Sequence, residues 1–433
     1  MNTWNSVAFG DLYMMPSRNG LTRPSNVRGS GYKMVNMGEL FEYPMLRNPD
    51  MERVNLREDE KKTYSLCPGD LLFARQSLVL EGAGKCSIVI DCEENTVFES
   101  HLIRVRLDPG KSDPLFYHYY LRSELGMGTV QTIVRQVAAA GIRGSDLERL
   151  KVLCPPLPIQ RRIAAILSAY DDSIENNTRR IALLEKMAEE VYREWFVRLR
   201  FPGHESVPVH QGGPEGWHRV PIRTFCDEVR SSIKAKDLTA DMRYIGLEHI
   251  PRKSMFLMDW DSAGNVDSDK LRFVEGDILF GKIRPYLHKV SMTHFSGVCS
   301  SDAIVVRAKN PNARGYLFFT LFSDAFVDLA ATACKGSQMP RADWDFLKKV
   351  EILSPPKPIL EAYGRLFEAN FRLMEQIALT NEKLLQSRKI LLPRLLSGKL
   401  DVGYLDIPFP PEIDEPMTAT RKQTTKEGTY VTT

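Results

Sequence analysis

No apolar run in the 433 residues approaches the ~18 that a membrane-spanning helix needs. The N-terminal MNTWNSVAFGDL has no basic region followed by an apolar core, so no signal peptide is expected. The seven cysteines (Cys67, Cys86, Cys92, Cys154, Cys226, Cys299 and Cys334) are scattered and form no CxxC pair. They read as reduced thiols in a cytoplasm, not as a disulfide or zinc framework. The eight histidines form no HExxH or HxxxH pair, so metal catalysis has no support. Charge of one sign is also missing: 58 basic against 55 acidic residues leave +3, which permits a nucleic-acid partner without demonstrating one.

Catalytic loops are absent too. EGAGKC (Glu81–Cys86) resembles a phosphate loop, but the first glycine of GxxxxGK[ST] would fall on Val79 and Cys86 replaces the hydroxyl residue. It reads better as a hairpin turn. CPPL and SPPK lack the aromatic that an amino-methyltransferase motif stacks on its base, and no glycine-rich cofactor loop follows a strand. Asp171-Asp172 is the notable carboxylate pair, and its place in a helical run reads as a solvated face. The chain is expected to bind and position, with no catalytic residue and no metal site.

What is present is a repeat. CPPLPIQ (Cys154–Gln160) returns as SPPKPIL (Ser354–Leu360) two hundred residues later. PGDLLFAR (Pro68–Arg75) is matched by EGDILFGK (Glu275–Lys282), and YKMVNMGEL (Tyr32–Leu40) by RYIGLEHI (Arg243–Ile250). Each half opens on a tryptophan, Trp4 or Trp217. DPLFYHYYLRSEL (Asp113–Leu125) parallels RGYLFFTLFSDAF (Arg314–Phe326) as aromatic-rich helix. A glycine loop, a short acidic-capped helix and a short strand then lead to each proline pair. No single match is specific; their shared order is.

After each proline pair comes a heptad seam. From Leu167 a 3-4 step meets Tyr170, Ile174, Asn177, Ile181, Leu184, Ala188, Val191 and Trp195. The same register in the second copy meets Phe367, Asn370, Met374, Ile377, Asn381, Leu384, Arg388, Leu391 and Leu395. Helices of about 40 residues span some 60 Å, more than one small domain needs. Proline is tolerated in a first helical turn and holds the preceding residue extended, so each pair marks a joint between a globular part and a long helix. Core helices of an all-helical domain are the alternative. The reading adopted is an antiparallel pair with globular units at opposite ends, in which Asn177 faces Asn381; the alternative there is that both amides are solvated.

The order of globular part, PPLPIQRRIAAILSAYDDSIENNTRRIALLEKMAEEVYREWF, globular part and PPKPILEAYGRLFEANFRLMEQIALTNEKLLQSRKILLPRLLSGKL resembles the specificity subunit of type I restriction–modification enzymes over residues 1–403. The resemblance implies an α+β fold: two globular α/β target-recognition domains separated by two long helices that form an antiparallel coiled coil, with a pseudo-two-fold internal repeat. The expected bounds are 1–157 and 201–357 for the recognition domains, 158–200 and 358–403 for the helical regions, and a disordered tail over 404–433. The resemblance further implies that each domain reads one half of a bipartite target in double-stranded DNA. The coiled coil would dock two methyltransferase subunits that methylate adenine with S-adenosylmethionine. Restriction subunits with ATP- and Mg2+-dependent translocase and nuclease activity would join them, and this chain itself would hold no cofactor. PPKPIL departs from the pattern in having no glutamine, and PPLPIQ lacks the acidic residue that usually precedes it. The alternatives are a methylation-only or type IIB-like system, an enzyme with unseen motifs, and a coiled-coil scaffold with no DNA role.

Base-reading chemistry selects the DNA candidates, since Arg and Lys suit guanine and Gln or Asn adenine. In the first half these are Arg75, Gln76, Arg135, Gln136 and Arg143; in the second, Lys282, Arg284, Lys335, Gln338 and Arg341. Phosphate contact without sequence information is the alternative for each.

Overall fold

The computed structural model describes residues 4–24, 28–92, 95–136, 140–334 and 340–405. By compactness the chain divides into a first unit, Met1–Asp172 with Leu385–Thr433, and a second, Ser173–Leu384. Both divisions fall inside long helices, Leu157–Tyr192 and Lys357–Leu396. The tail expected to be disordered lies outside the described residues beyond Leu405.

In the first unit, Tyr13–Asn19, Leu102–Leu107, Leu71–Ala74 and Cys86–Asp91 are antiparallel neighbours in that order, with Met45–Arg47 added parallel at the far edge. The strand LLFA is apolar at every position because both of its faces are covered. Leu71 and Phe73 enter one buried cluster, and Leu72 and Ala74 another. A second sheet orders Arg53–Val54, Arg28–Val35 and Thr96–Phe98, the last two parallel. Asn5–Ala8 pairs with Lys151–Cys154, immediately before the first proline pair.

The second unit repeats this order. Cys226–Val229, Ala303–Ala308, Ile278–Gly281 and Val290–Met292 are antiparallel neighbours. In its other sheet Arg243–Ile245 runs parallel to Gly297–Cys299, as Arg28–Val35 does to Thr96–Phe98. His218–Pro221 pairs with Glu351–Ser354 before the second proline pair. The matched PGD and EGD turns show why those letters recur. Gly69 and Gly276 take φ of 88° and 85°, a region that favours glycine. The next residues, Asp70 and Asp277, are buried carboxylates that each accept a backbone N–H, from Cys67 and Val274, at 2.8 Å. Each then takes both donors of an arginine on the neighbouring strand, Arg106 at 2.6 and 2.7 Å and Arg307 at 2.7 and 2.8 Å. A carboxylate removed from water requires such partners.

The long helices begin at their proline pairs, and Ile159 N–H and Ile359 N–H close first-turn bonds to Pro156 O and Pro356 O. The first passes from α to a π turn at Arg193–Val197, which carries Phe196 and Trp195 onto Tyr363 (4.8 and 5.8 Å between centroids). The second ends at Leu396, with Gly398 at φ 70° just beyond. Within the second unit the two helices run antiparallel. Asn370 Nδ2 donates to Leu184 O at 2.9 Å, and Asn381 Oδ1 accepts from Asn177 Nδ2 at 2.8 Å. Ile181, Leu184, Val191, Trp195, Phe367, Met374 and Ile377 share one apolar cluster there. Within the first unit Leu167, Leu391 and Leu395 share another and Tyr170 is half-buried, while Ile174 and Leu384, in the second unit, are half-buried as well.

Two expectations need correction. Asp171 and Asp172 are not merely a solvated face: Asp171 accepts from Tyr119 Oη (2.8 Å) and pairs with Arg388 (2.6 Å), while Asp172 pairs with Arg47 (2.6 Å). These partners lie far off in sequence, so helical periodicity cannot reveal them. The first short helix, Gly144–Arg149, has Arg143 rather than an acid at its N-cap; only the second, Trp344–Leu347, is capped by an acid, Asp343. Among the described residues no helix is long and apolar enough to cross a membrane.

Candidate nucleic-acid interface

Each buried central strand ends on a basic residue, and at that point the chain leaves its sheet. Arg75 N–H donates to His101 O (2.8 Å) while Arg75 O accepts from Ile142 N–H (2.9 Å). Lys282 repeats both bonds, to Asp302 O (2.7 Å) and from Ala342 N–H (2.9 Å). Ile142 and Ala342 are buried, so the returning segment is anchored from below. In the first unit this return extends into a small sheet, Gln76–Ser77 against Ala140–Gly141 against Arg135–Gln136. In the second it is one antiparallel bridge, Ile283 with Arg341, reinforced by Arg284 N–H to Pro340 O (2.9 Å).

This frame gathers Arg75, Gln76, Arg135 and Arg143 in the first unit, and Lys282, Arg284 and Arg341 in the second. Gln136 contributes backbone to the small sheet, and its side chain lies outside the described residues. Lys335 and Gln338 also lie outside them. The gathered cations differ in how they are held. Arg135 pairs with Asp146 (2.9 Å), Arg341 stands 3.9 Å from Asp302, and Arg75 donates to Ser100 O (3.4 Å). His101 Nδ1 lies 3.2 Å from Gln76 Oε1. Arg143 and Arg284 are exposed, and neither they nor Lys282 has a side-chain partner among the described residues. Arg135 is itself more than half exposed, although its partner Asp146 is largely buried.

Two further lysines brace the frame. Lys85 and Lys289 immediately precede the strands that start at Cys86 and Val290. Burial, then a neighbouring arginine (Arg122 or Arg252), holds both ammonium groups below the usual lysine range. Lys85 donates to Phe41 O (3.4 Å) and Lys289 to Leu247 O, so both are tethered inward.

Sequence reasoning passed over the apolar tips beside these cations. Leu78 is fully exposed, with Val79 next to it, and Tyr286 is 57% exposed. The available signal was an apolar or aromatic residue shortly after a basic one at the strand end: Leu78 follows Arg75 by three positions and Tyr286 follows Arg284 by two.

Residues 1–186 match the family described as Type I restriction modification DNA specificity domain. The Type I restriction enzyme MjaIX specificity subunit of Methanocaldococcus jannaschii is 24% identical over 61% of this chain and 64% of its own length, less than two thirds. The Putative type I restriction enzyme MjaX specificity subunit of the same organism is 22% identical over 89% of this chain and 91% of its own. In fold, the chain is similar to the crystal structure of a type I restriction-modification system S subunit from M. genitalium. The TM-score is 0.57 at 14% identity, covering 91% of this chain and 96% of that one. The chain is thus similar to the specificity subunits of type I restriction–modification enzymes, in sequence most directly over residues 1–186 and in fold over most of its length.

Proposed function

We propose that this chain is the non-catalytic DNA reader of a cytoplasmic type I restriction–modification complex, each unit reading one half of a split target in double-stranded DNA. The observation that carries this reading is the strand-end frame, built twice with the same pair of backbone bonds and loaded in both units with unpartnered or loosely held cations. A frame held by backbone leaves its side chains free to differ, which is what two readers of different half-sites require. Cations on it contact phosphates for affinity and base edges for specificity. The long helices dock two methyltransferase subunits, which bring S-adenosylmethionine; restriction subunits bring ATP and Mg2+ chemistry.

The test is to replace the first recognition domain, residues 1–153, with that of a relative and sequence the methylated adenines of the host. One half of the motif is expected to change and the other to persist. Simultaneous change of both halves refutes the two-reader assignment.

A further inference from the structure

The second unit carries a strained turn that folding alone does not explain. Five non-glycine residues have positive φ among the described residues, and three of them meet here: Lys253 (53°), Arg284 (49°) and His288 (52°). Side chains adopt this region rarely, and clusters of it mark functional sites. Lys253 N–H donates to His288 O (3.1 Å), and between Arg284 and His288 the chain makes a single tight turn, Pro285–Leu287.

The turn is pinned from beneath. Pro285 is buried, and so is the His288 ring, whose Nε2–H donates to Phe322 O at 2.7 Å. The His288 ring also stands edge-on to Phe322 (4.9 Å between centroids) and 3.3 Å from Asp324, whose carboxylate holds Lys253 at 2.9 Å. Above, Tyr286 points its ring outward with no ring contact or hydrogen bond among the described residues. It follows Arg284 by two positions and Lys282 by four, and the side chains of both also have no partner among the described residues. An exposed aromatic on a strained turn, close in sequence to two unpartnered cations, fits a nucleobase better than it fits water.

We propose that Arg284–His288 is a preset reading turn: Tyr286 packs against base edges, Arg284 hydrogen-bonds a base edge beside it, and His288 is a positioning residue. The proposal rests on the reading of this chain as a DNA sequence reader. Leu78 and Val79, at the matching place in the first unit, supply a different contact surface there.

The test uses the full chain together with the methyltransferase subunits of its host, selecting from a library of randomised DNA duplexes. The wild type is expected to select a split motif. Tyr286→Ala is expected to lose preference about tenfold or more at one or two positions of one half-motif, leaving the other half and the salt dependence unchanged. Tyr286→Phe keeps the ring and should keep the motif. His288→Ala should broaden the same positions. His288→Gln, whose amide N–H reaches about as far as Nε2–H and can still donate to Phe322 O, should restore them. A folded Tyr286→Ala protein with both half-motifs intact, as expected if the ring serves a protein partner, overturns the proposal. So does an equal loss of affinity for every sequence. A wild-type complex that selects no motif overturns the reading of the chain as a DNA reader as well.

Discussion

The two long helices start on the same proline pair and differ four residues later. In the first unit Gln160 is fully buried, accepts from Asp113 N–H (2.9 Å) and donates to Pro155 O (2.8 Å). In the second, Leu360 occupies that place and joins an apolar cluster with Ala313, Tyr316 and Tyr363. The difference extends beyond one residue. Asp113 caps the helix Pro114–Arg122 by accepting from Phe116 N–H, whereas Arg314–Phe322 has Ala313 at its N-cap and no side-chain cap. A polar cap comes with a polar clip, and an apolar start with an apolar plug. Repeated folds diverge in coupled sets, because a buried polar group without its partner costs about 1–3 kcal/mol. The missing glutamine of PPKPIL therefore does not prevent the second helix from starting at Lys357.

The shared core offers the largest test of that comparison. Asp70→Ala should destabilise the first unit by about 3 kcal/mol, since it strands an arginine that is largely withdrawn from water. Asp277→Ala should cost the second unit less, because the Arg307 side chain is 45% exposed against 21% for Arg106. Hydrogen exchange followed separately in each unit checks both, and equal losses would contradict the ranking.

Next in size is the exchange of the clip itself. Gln160→Leu leaves a buried N–H and a buried carbonyl unpaired, so the first unit should lose about 2 kcal/mol. Leu360→Gln should cost the second about 1–2 kcal/mol by placing an amide among apolar side chains. Thermal melts of the two variants decide whether the positions are interchangeable, which the coupled-set argument forbids.

Between the helices, the first unit sets an ion pair, Asp171 with Arg388, where the second sets an amide pair, Asn177 with Asn381. Asn381→Leu alone should cost about 1 kcal/mol. Adding Asn177→Leu should recover that loss, because replacing both partners of a buried pair is close to neutral. Urea unfolding of the single and double variants measures it.

The smallest effect concerns pH. Glu375 in the second unit is pushed up to about 7 by burial, then by Glu275 and Glu368, against the opposing Arg314 and Arg372. The folded chain therefore holds a proton that the unfolded chain releases near 4.5, and stability falls as pH rises from there through 7. Glu375→Gln should flatten that limb and raise the melting temperature at pH 8 by about 2 °C. In the first unit the slope has the other sign at His118, which burial holds down to about 3. Its stabilising contribution is lost as pH falls from 6.5. Melts from pH 5 to 8 that show no slope difference between wild type and Glu375→Gln would count against this assignment.

Periodicity made the long helices legible, since Leu167, Ile181, Phe367, Met374 and Leu395 recur at heptad spacing and are buried. The repeat likewise marked the strand ends at Arg75 and Lys282, because a glycine turn, a buried acid and an apolar strand leave a local trace. Asp171 with Arg388, and Gln160 with Asp113, leave none: each joins residues whose separation in sequence is set by topology alone. Tyr286 escaped for another reason. Its neighbours' backbone conformation is what makes it notable, and neither arginine nor histidine advertises a left-handed φ as glycine does.

The second unit is one uninterrupted stretch of chain, while the first is assembled from both sides of it. During synthesis the first unit therefore waits for its last part. Leu395, Leu396 and Val402 complete its apolar cluster, and all of Ser173–Leu384 must be made before they appear. At about 5–20 residues per second that delay is roughly 10–40 s. Throughout it Ile163 and Leu167 lack the side chains that cover them in the finished protein. A nascent chain halted before Leu385 would carry a second unit with all its residues and a first that is open to water, the state in which aggregation and chaperone capture begin.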